Sequence, residues 1–170
     1  MADNFRYRYG ETDPAQVPIA LGFPIAIGDL CYQDQATGTL RSVATFPWSG
    51  SAAATQAACA PFFVGVSAQR WIGTLPYPTG AGYPAGSGDG VNRVDTGGTY
   101  EFACLPGSNF IFGQDVTFDT AANALLPQQV IVTTAGSAAG IGKVVRTATN
   151  VSSIYIQIKS RLLAAPFLGT

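Results

Sequence analysis

The chain has 170 residues, enough for one domain with a substantial core, and 47% of them are hydrophobic against only 11% charged. So few charges favour a surface that is partly covered by other subunits. The net charge of −1 provides no general basic field for nucleic acid, and no apolar run is long enough to predict a membrane span. The polar, charged N-terminal residues predict no secretory signal.

Residues 1–27 are predicted to form an extended N-terminal arm, because prolines at positions 14, 18 and 24 disfavour helix. Aromatic and cationic residues alternate from position 5 to position 9, a pattern that can stack on bases or pair with a protein surface. The flanking acids Asp3, Glu11 and Asp13 favour the protein contact. The residues predicted to contact a partner are Phe5, Arg6, Tyr7, Arg8, Tyr9, Val17, Ile19, Leu21 and Phe23.

Residues 28–163 are predicted to form an all-β domain, a small antiparallel β-barrel or sandwich, because many short strand-like segments alternate with glycine-rich turns. One motif occurs twice, from Asp29 to Tyr32 and from Asp115 to Phe118. Each copy leads through a turn and a polar interval to a strand interrupted by glycine. The repetition predicts two equivalent hairpins, with Asp29 superposed on Asp115.

Other elements are predicted from local composition. Residues 51–60 are alanine-rich, follow a serine and end before a proline, which predicts one short helix. A long Tyr/Pro/Gly loop is expected at 74–90, and a hairpin at 91–105 across Gly97 and Gly98. Residues 164–170 form an apolar tail that is expected to dock on a neighbour or on the barrel.

Several kinds of catalytic site are disfavoured by the residues present. The chain has no histidine to activate Ser67, and its three cysteines are expected to be free, buried thiols. Five residues, rather than four, separate Gly136 from Gly142, so a turn running into a strand is favoured over a phosphate loop. Asp29 and Asp115 are interpreted as turn caps. No catalytic, metal-binding or cofactor-binding residue is therefore predicted, and the protein is expected not to be an enzyme.

A family resemblance rests on motifs between residues 25 and 163. These are Gly-Asp-Leu-Cys-Tyr at 28–32, Ala-Thr-Gln-Ala-Ala at 54–58, Phe-Phe-Val-Gly-Val-Ser at 62–67, Gly-Thr-Tyr-Glu-Phe at 98–102, Asp-Val-Thr-Phe-Asp at 115–119 and Gly-Ile-Gly-Lys-Val-Val at 140–145. Together they resemble the capsid decoration (cement) proteins of tailed double-stranded DNA bacteriophages. The resemblance implies a β-barrel protein made in the host cytoplasm that binds the virion surface, usually as a homotrimer, and clamps adjacent major capsid proteins.

Two other functions stay open on the sequence. Trp48, Trp71, Tyr77 and Tyr83 can form a sugar-stacking surface, which would suit a carbohydrate- or receptor-binding module such as a head fibre base. A carboxylate-dependent hydrolase would need two acids facing each other across a cleft.

Overall fold

The computed structural model describes residues 7–10, 12–73, 90–134 and 136–162, and it confirms the predicted all-β fold with one short helix. The predicted loop at 74–90, except Gly90, and the tail at 164–170 lie outside the described residues. Within those residues, no helix is long and apolar enough to cross a lipid bilayer. The strands are β1 (Tyr7–Tyr9), β2 (Pro14–Pro18), β3 (Leu30–Gln33), β4 (Leu40–Ser42), β5 (Phe63–Ser67), β6 (Val91–Asp95), β7 (Gly97–Phe110), β8 (Asp115–Ala121), β9 (Ala124–Val132), β10 (Gly142–Val144) and β11 (Ala148–Lys159).

The strands form two sheets. One has the order β2-β6-β5-β3-β4, and the other has the order β1-β7-β11-β10-β8-β9. In the second sheet a parallel contact between Ala103 of β7 and Gln129 of β9 closes a five-stranded barrel. Closure removes most of the free strand edges that would otherwise invite aggregation.

The two sheets repeat one topology. Strands β2–β6 (the N-unit) and β7–β11 (the C-unit) both follow the lateral order first-fifth-fourth-second-third, with antiparallel neighbours throughout. The first and third strands meet in parallel in both units, because Ile19, directly after β2, bridges to Leu40 of β4. The two predicted hairpins, β3–β4 and β8–β9, therefore occupy equivalent places. Asp29 directly precedes the first hairpin and Asp115 begins the second.

The predicted hairpin at 91–105 is wrong. Only Thr96 separates β6 from β7, yet β6 pairs with β2 and β5 while β7 pairs mainly with β11. The chain crosses between sheets here because the apolar residues belong to different cores: Val94 packs in the N-unit, whereas Tyr100 and Phe102 pack in the C-unit barrel. Gly98 has a φ of +115°, a backbone conformation that residues with a side chain rarely adopt.

The predicted boundary between an arm at 1–27 and a barrel from residue 28 is also incorrect for the described residues. The segment is extended, as its prolines require, but β1 pairs with β7, and β2 pairs with β6 along its whole length. Farther along, Ile25 is fully buried and bridges to Trp71. Pro14 and Pro18 lie at the two ends of an edge strand, where a missing amide hydrogen is tolerated. This segment is therefore part of both sheets.

Helix α1 (Ala52–Cys59) connects β4 to β5 and confirms the predicted position. The hydroxyl oxygen of Ser51 accepts a hydrogen bond of 3.2 Å from the Ala54 amide, which caps the first turn. The Gln56 side-chain amide donates a 2.6 Å hydrogen bond to the Phe118 carbonyl, so the helix of the N-unit is tied to a strand of the C-unit.

The interior consists of two apolar clusters. The larger one fills the C-unit barrel and includes Phe63 and Val66 of β5, whereas Val64 of the same strand packs in the smaller N-unit cluster. All five residues of β5 are buried. The predicted free, buried thiols are confirmed for Cys31, Cys59 and Cys104. Burial raises the pKa of the Cys59 thiol, which keeps it protonated and unreactive at neutral pH.

Glycines at equivalent strands predict a measurable packing constraint. A Cβ on Gly142 of β10 would lie 2.5 Å from the Gln157 carbonyl oxygen, and a Cβ on Gly65 of β5 would clash with the Asp95 carbonyl. We predict that Gly142→Ala lowers the free energy of unfolding by at least about 3 kcal/mol, because a backbone atom cannot move aside cheaply. Gly113→Ala is the control. Gly113 has a positive φ, but a Cβ there would meet no neighbouring atom, so this substitution should lower the free energy of unfolding by about 1 kcal/mol. If urea denaturation shows that both variants lose the same free energy of unfolding, the packing explanation is wrong.

Two truncations test the role of the N-terminal strands. Removing residues 2–10 deletes β1 alone, and we expect cooperative melting close to that of the full chain. Removing residues 2–18 also deletes β2 and uncovers the N-unit core around Val94, which is fully buried. A loss of about 3 kcal/mol would lower the melting temperature by roughly 10 °C in a chain of this size. Equal melting temperatures for the two truncations, measured by circular dichroism, would show that β2 is dispensable.

Candidate interaction surface

The residues predicted to contact a partner do not form one surface. Phe5 and Arg6 lie outside the described residues, and Tyr7 and Arg8 lie in β1. Two of the remaining residues are exposed: Tyr9 by 56% and Leu21 by 57%. Three are partly or fully covered, namely Val17, Ile19 and Phe23.

Val17 and Ile19 both contribute to the N-unit core. Val17 is half-buried and packs against the N-unit core, of which Ile19 is a member. The reason is the alternation of β2, whose odd-numbered positions face inward while Pro14, Gln16 and Pro18 face outward. Apolar character alone could not distinguish these two residues from Leu21.

Three exposed apolar residues lie on segments joined by hydrogen bonds at one end of the N-unit. They are Leu21, Ile72 (47% exposed) and Val91 (45% exposed), here called the Leu21 rim. The Gly22 amide donates a 2.7 Å hydrogen bond to the Gly73 carbonyl, and Val91 pairs with Pro18 across β2 and β6. The sequence pattern indicates only Leu21, because Ile72 and Val91 are brought near it by backbone pairing.

The rim lies at the base of the predicted Tyr/Pro/Gly loop. Residues 73 and 90, which flank residues 74–89, are both bonded to the segment that carries Leu21: the Ile19 amide donates a 2.8 Å hydrogen bond to the Gly90 carbonyl. Contiguous exposed apolar side chains mark interaction sites more often than scattered ones do. The rim and the base of the loop together form the candidate surface.

Phe23 is held close to this surface by a cation and a carboxylate. The Arg41 guanidinium lies 3.9 Å from the centre of the Phe23 ring, and its Nη2 atom is 2.6 Å from Oδ2 of Asp34. Oδ2 of Asp34 also accepts a 2.9 Å hydrogen bond from the Thr37 hydroxyl. The pKa of Asp34 lies below its ordinary value, mainly because of the hydrogen bond from Thr37. The Ala36 amide and the Arg41 charge lower it further.

The acids that were considered for catalysis have structural contacts. Oδ2 of Asp29 accepts a 3.1 Å hydrogen bond from the Ala26 amide, and Oδ1 accepts one of 2.9 Å from Gln128. Asp115 is paired with Lys143 at 2.8 Å. The described residues contain no group of three or more histidine, cysteine or acidic residues placed to hold a metal ion.

The other motifs singled out in the sequence also lie in ordinary structural positions. Ser67 is buried in β5 and donates a 2.7 Å hydrogen bond to the Gln69 carbonyl. Residues 136–144 form a single 3-10 turn followed by β10, as predicted. Trp71 is buried and its indole donates to the Ala20 carbonyl, so its ring offers no sugar-stacking face.

Comparison with known proteins adds no constraint, since no protein-family model and no curated protein matches the chain. Function is therefore argued from the residues and their geometry.

The Asp34 contacts predict a specific pH dependence. Because the pKa of Asp34 is lowered in the folded state, the ionised carboxylate stabilises the fold above the ordinary pKa of 3.8, and this contribution disappears as the pH falls through the lowered value. The melting temperature of the wild-type protein should exceed that of Asp34→Asn at pH 7, and the difference should shrink below pH 4. Asp119→Asn controls for the change in net charge. A difference that stays constant from pH 7 to pH 3 would contradict the assignment.

Proposed function

We propose that the protein is a non-enzymatic structural protein that binds the outside of a phage capsid and stabilises it by clamping adjacent major capsid proteins. The observation that carries the proposal is the Leu21 rim, a group of exposed apolar residues next to the predicted loop, in a chain with only 11% charged residues. The motif resemblance to decoration proteins supports the identity of the partner.

The physical basis of docking is burial of the rim. Fully burying one large apolar side chain contributes about 1.5–3 kcal/mol. Because each rim residue is already about half buried, docking gains roughly half of that amount per residue, which is part of a micromolar affinity. The paired strands on both sides of the rim hold the backbone in place before binding, which reduces the entropy lost on association.

We propose a homotrimer as the bound form, with no nucleic acid or membrane partner. The family resemblance suggests three-fold placement, and closed cyclic symmetry is the usual form of homo-oligomers. Free, buried thiols suit synthesis in the reducing host cytoplasm before transfer to the virion surface. The sugar-binding alternative is weakened by the burial of Trp71.

Co-sedimentation with purified capsids that lack the protein tests this function. The wild-type chain should bind at a fixed, saturable stoichiometry, and light scattering of the free protein should report a trimer. Replacing Leu21 and Ile72 together with serine should weaken binding by at least about tenfold, because each substitution removes apolar burial worth roughly 1 kcal/mol or more.

The matched control is Ile131→Ser, which alters an exposed apolar residue on β9 of the other unit and should leave binding unchanged. Failure of the wild-type chain to bind any capsid shell would overturn the proposed function. Normal binding by the double variant would show that the capsid contact lies elsewhere on the protein.

A further inference from the structure

A second surface lies on the outside of the C-unit barrel, away from the Leu21 rim. It is a cleft of about 1030 Å³. Its lining includes residues of β10 and β11, the link between β1 and β2, and the crossing from β6 to β7. The floor carries a polar row, because Lys143 pairs with Gln157 and Gln157 pairs with Thr99 across adjacent strands.

Three cationic residues line this cleft, and two of them are already engaged. Lys143 pairs with Asp115 at 2.8 Å, and Nη1 of Arg161 donates to the Ala138 and Gly140 carbonyls at 3.1 and 3.2 Å. Lys159 is exposed, and its ammonium group has no ion-pair or hydrogen-bond partner among the described residues.

Three cations elsewhere in the described chain have partners. Arg41 and Arg93 form ion pairs with Asp34 and Asp95, and the Arg146 guanidinium stacks 4.5 Å from the centre of the Tyr155 ring. Lys159 is thus unusual in presenting a charge that the described residues leave uncompensated, at a concave surface.

The shape and charge of the cleft discriminate between possible ligands. Its volume far exceeds that of a single small anion. Asp13 and Asp115 also line the cleft, so the closely spaced phosphates of a nucleic acid would be repelled. A peptide can place one carboxylate beside Lys159 and neutral groups elsewhere.

We propose that this cleft binds an acidic peptide segment of a protein partner, with the Lys159 ammonium group paired to a carboxylate of that segment. The proposal does not depend on whether the partner is a capsid protein. Arg161, which is held by its own contacts, adds a second positive charge near the site, and Gln157 supplies a neutral hydrogen-bonding group on the floor.

Fluorescence anisotropy at low salt, with a labelled peptide that carries one glutamate among glycine and serine residues, tests the proposal. The wild-type protein should bind the peptide, 0.5 M NaCl should release it, and Lys159→Gln should weaken binding about threefold to fivefold, as expected for one partly exposed ion pair. Arg146→Gln is the matched control, since it removes one exposed positive charge outside the cleft and should bind like the wild type.

The following outcomes would count against the proposed peptide-binding site. Absence of peptide binding by the wild-type protein, equal affinity for the Lys159→Gln variant, or an equal loss for Arg146→Gln would overturn the proposal. A labelled oligothymidine that binds more tightly than the peptide and depends on Lys159 would overturn the ligand class. Thermal melting of both variants excludes misfolding as the cause of any loss.

Discussion

Strand β5 lies between two apolar cores, and its residues must satisfy packing on both faces at once. The register with β3 shifts between Cys31 and Tyr32, so that Phe63 and Val66 both reach the C-unit core while Val64 points into the N-unit core. Such a strand has to be apolar throughout, and Gly65 provides room for the backbone of β6. Other connections converge here, since the Arg161 and Leu162 amides both donate to the Phe63 carbonyl. The two units are therefore joined through a common interior.

The duplicated topology explains how a short chain builds two different surfaces. Both units share one strand order, yet they differ in what covers them. The C-unit has the longer paired strands, β7 and β11, and it alone receives β1, whereas the first strand of the N-unit is an edge with proline at both ends. The Leu21 rim lies on the N-unit, and most of the residues that line the cleft belong to the C-unit.

The two surfaces proposed for association differ in how their contacts would depend on salt. Burial of apolar side chains at the rim supplies affinity that depends weakly on salt. Paired charges such as those at the cleft mainly influence the specificity of binding and the rate of encounter, and salt screens them.

The sequence by itself determined the local features of this protein. Alternating apolar residues specified strands, Ser51 and Pro61 limited the helix, and the repeated Asp-containing motif identified two equivalent hairpins. These signals act within a few residues of each other, so they can be read without knowing the partner strands. The burial of all three cysteines was also predictable from their type and surroundings.

Only the tertiary structure decided which strands pair and which apolar residues stay exposed. The sequence predicted that β6 and β7 form a hairpin, which is wrong, and it grouped Val17 and Ile19 with Leu21 although both pack on the N-unit core. Val17 and Leu21 are chemically alike, but one faces the N-unit core and the other faces solvent. Pairing between distant segments determines that difference, because the free energy of burying an apolar side chain depends on what lies opposite it in space and not on its neighbours along the chain.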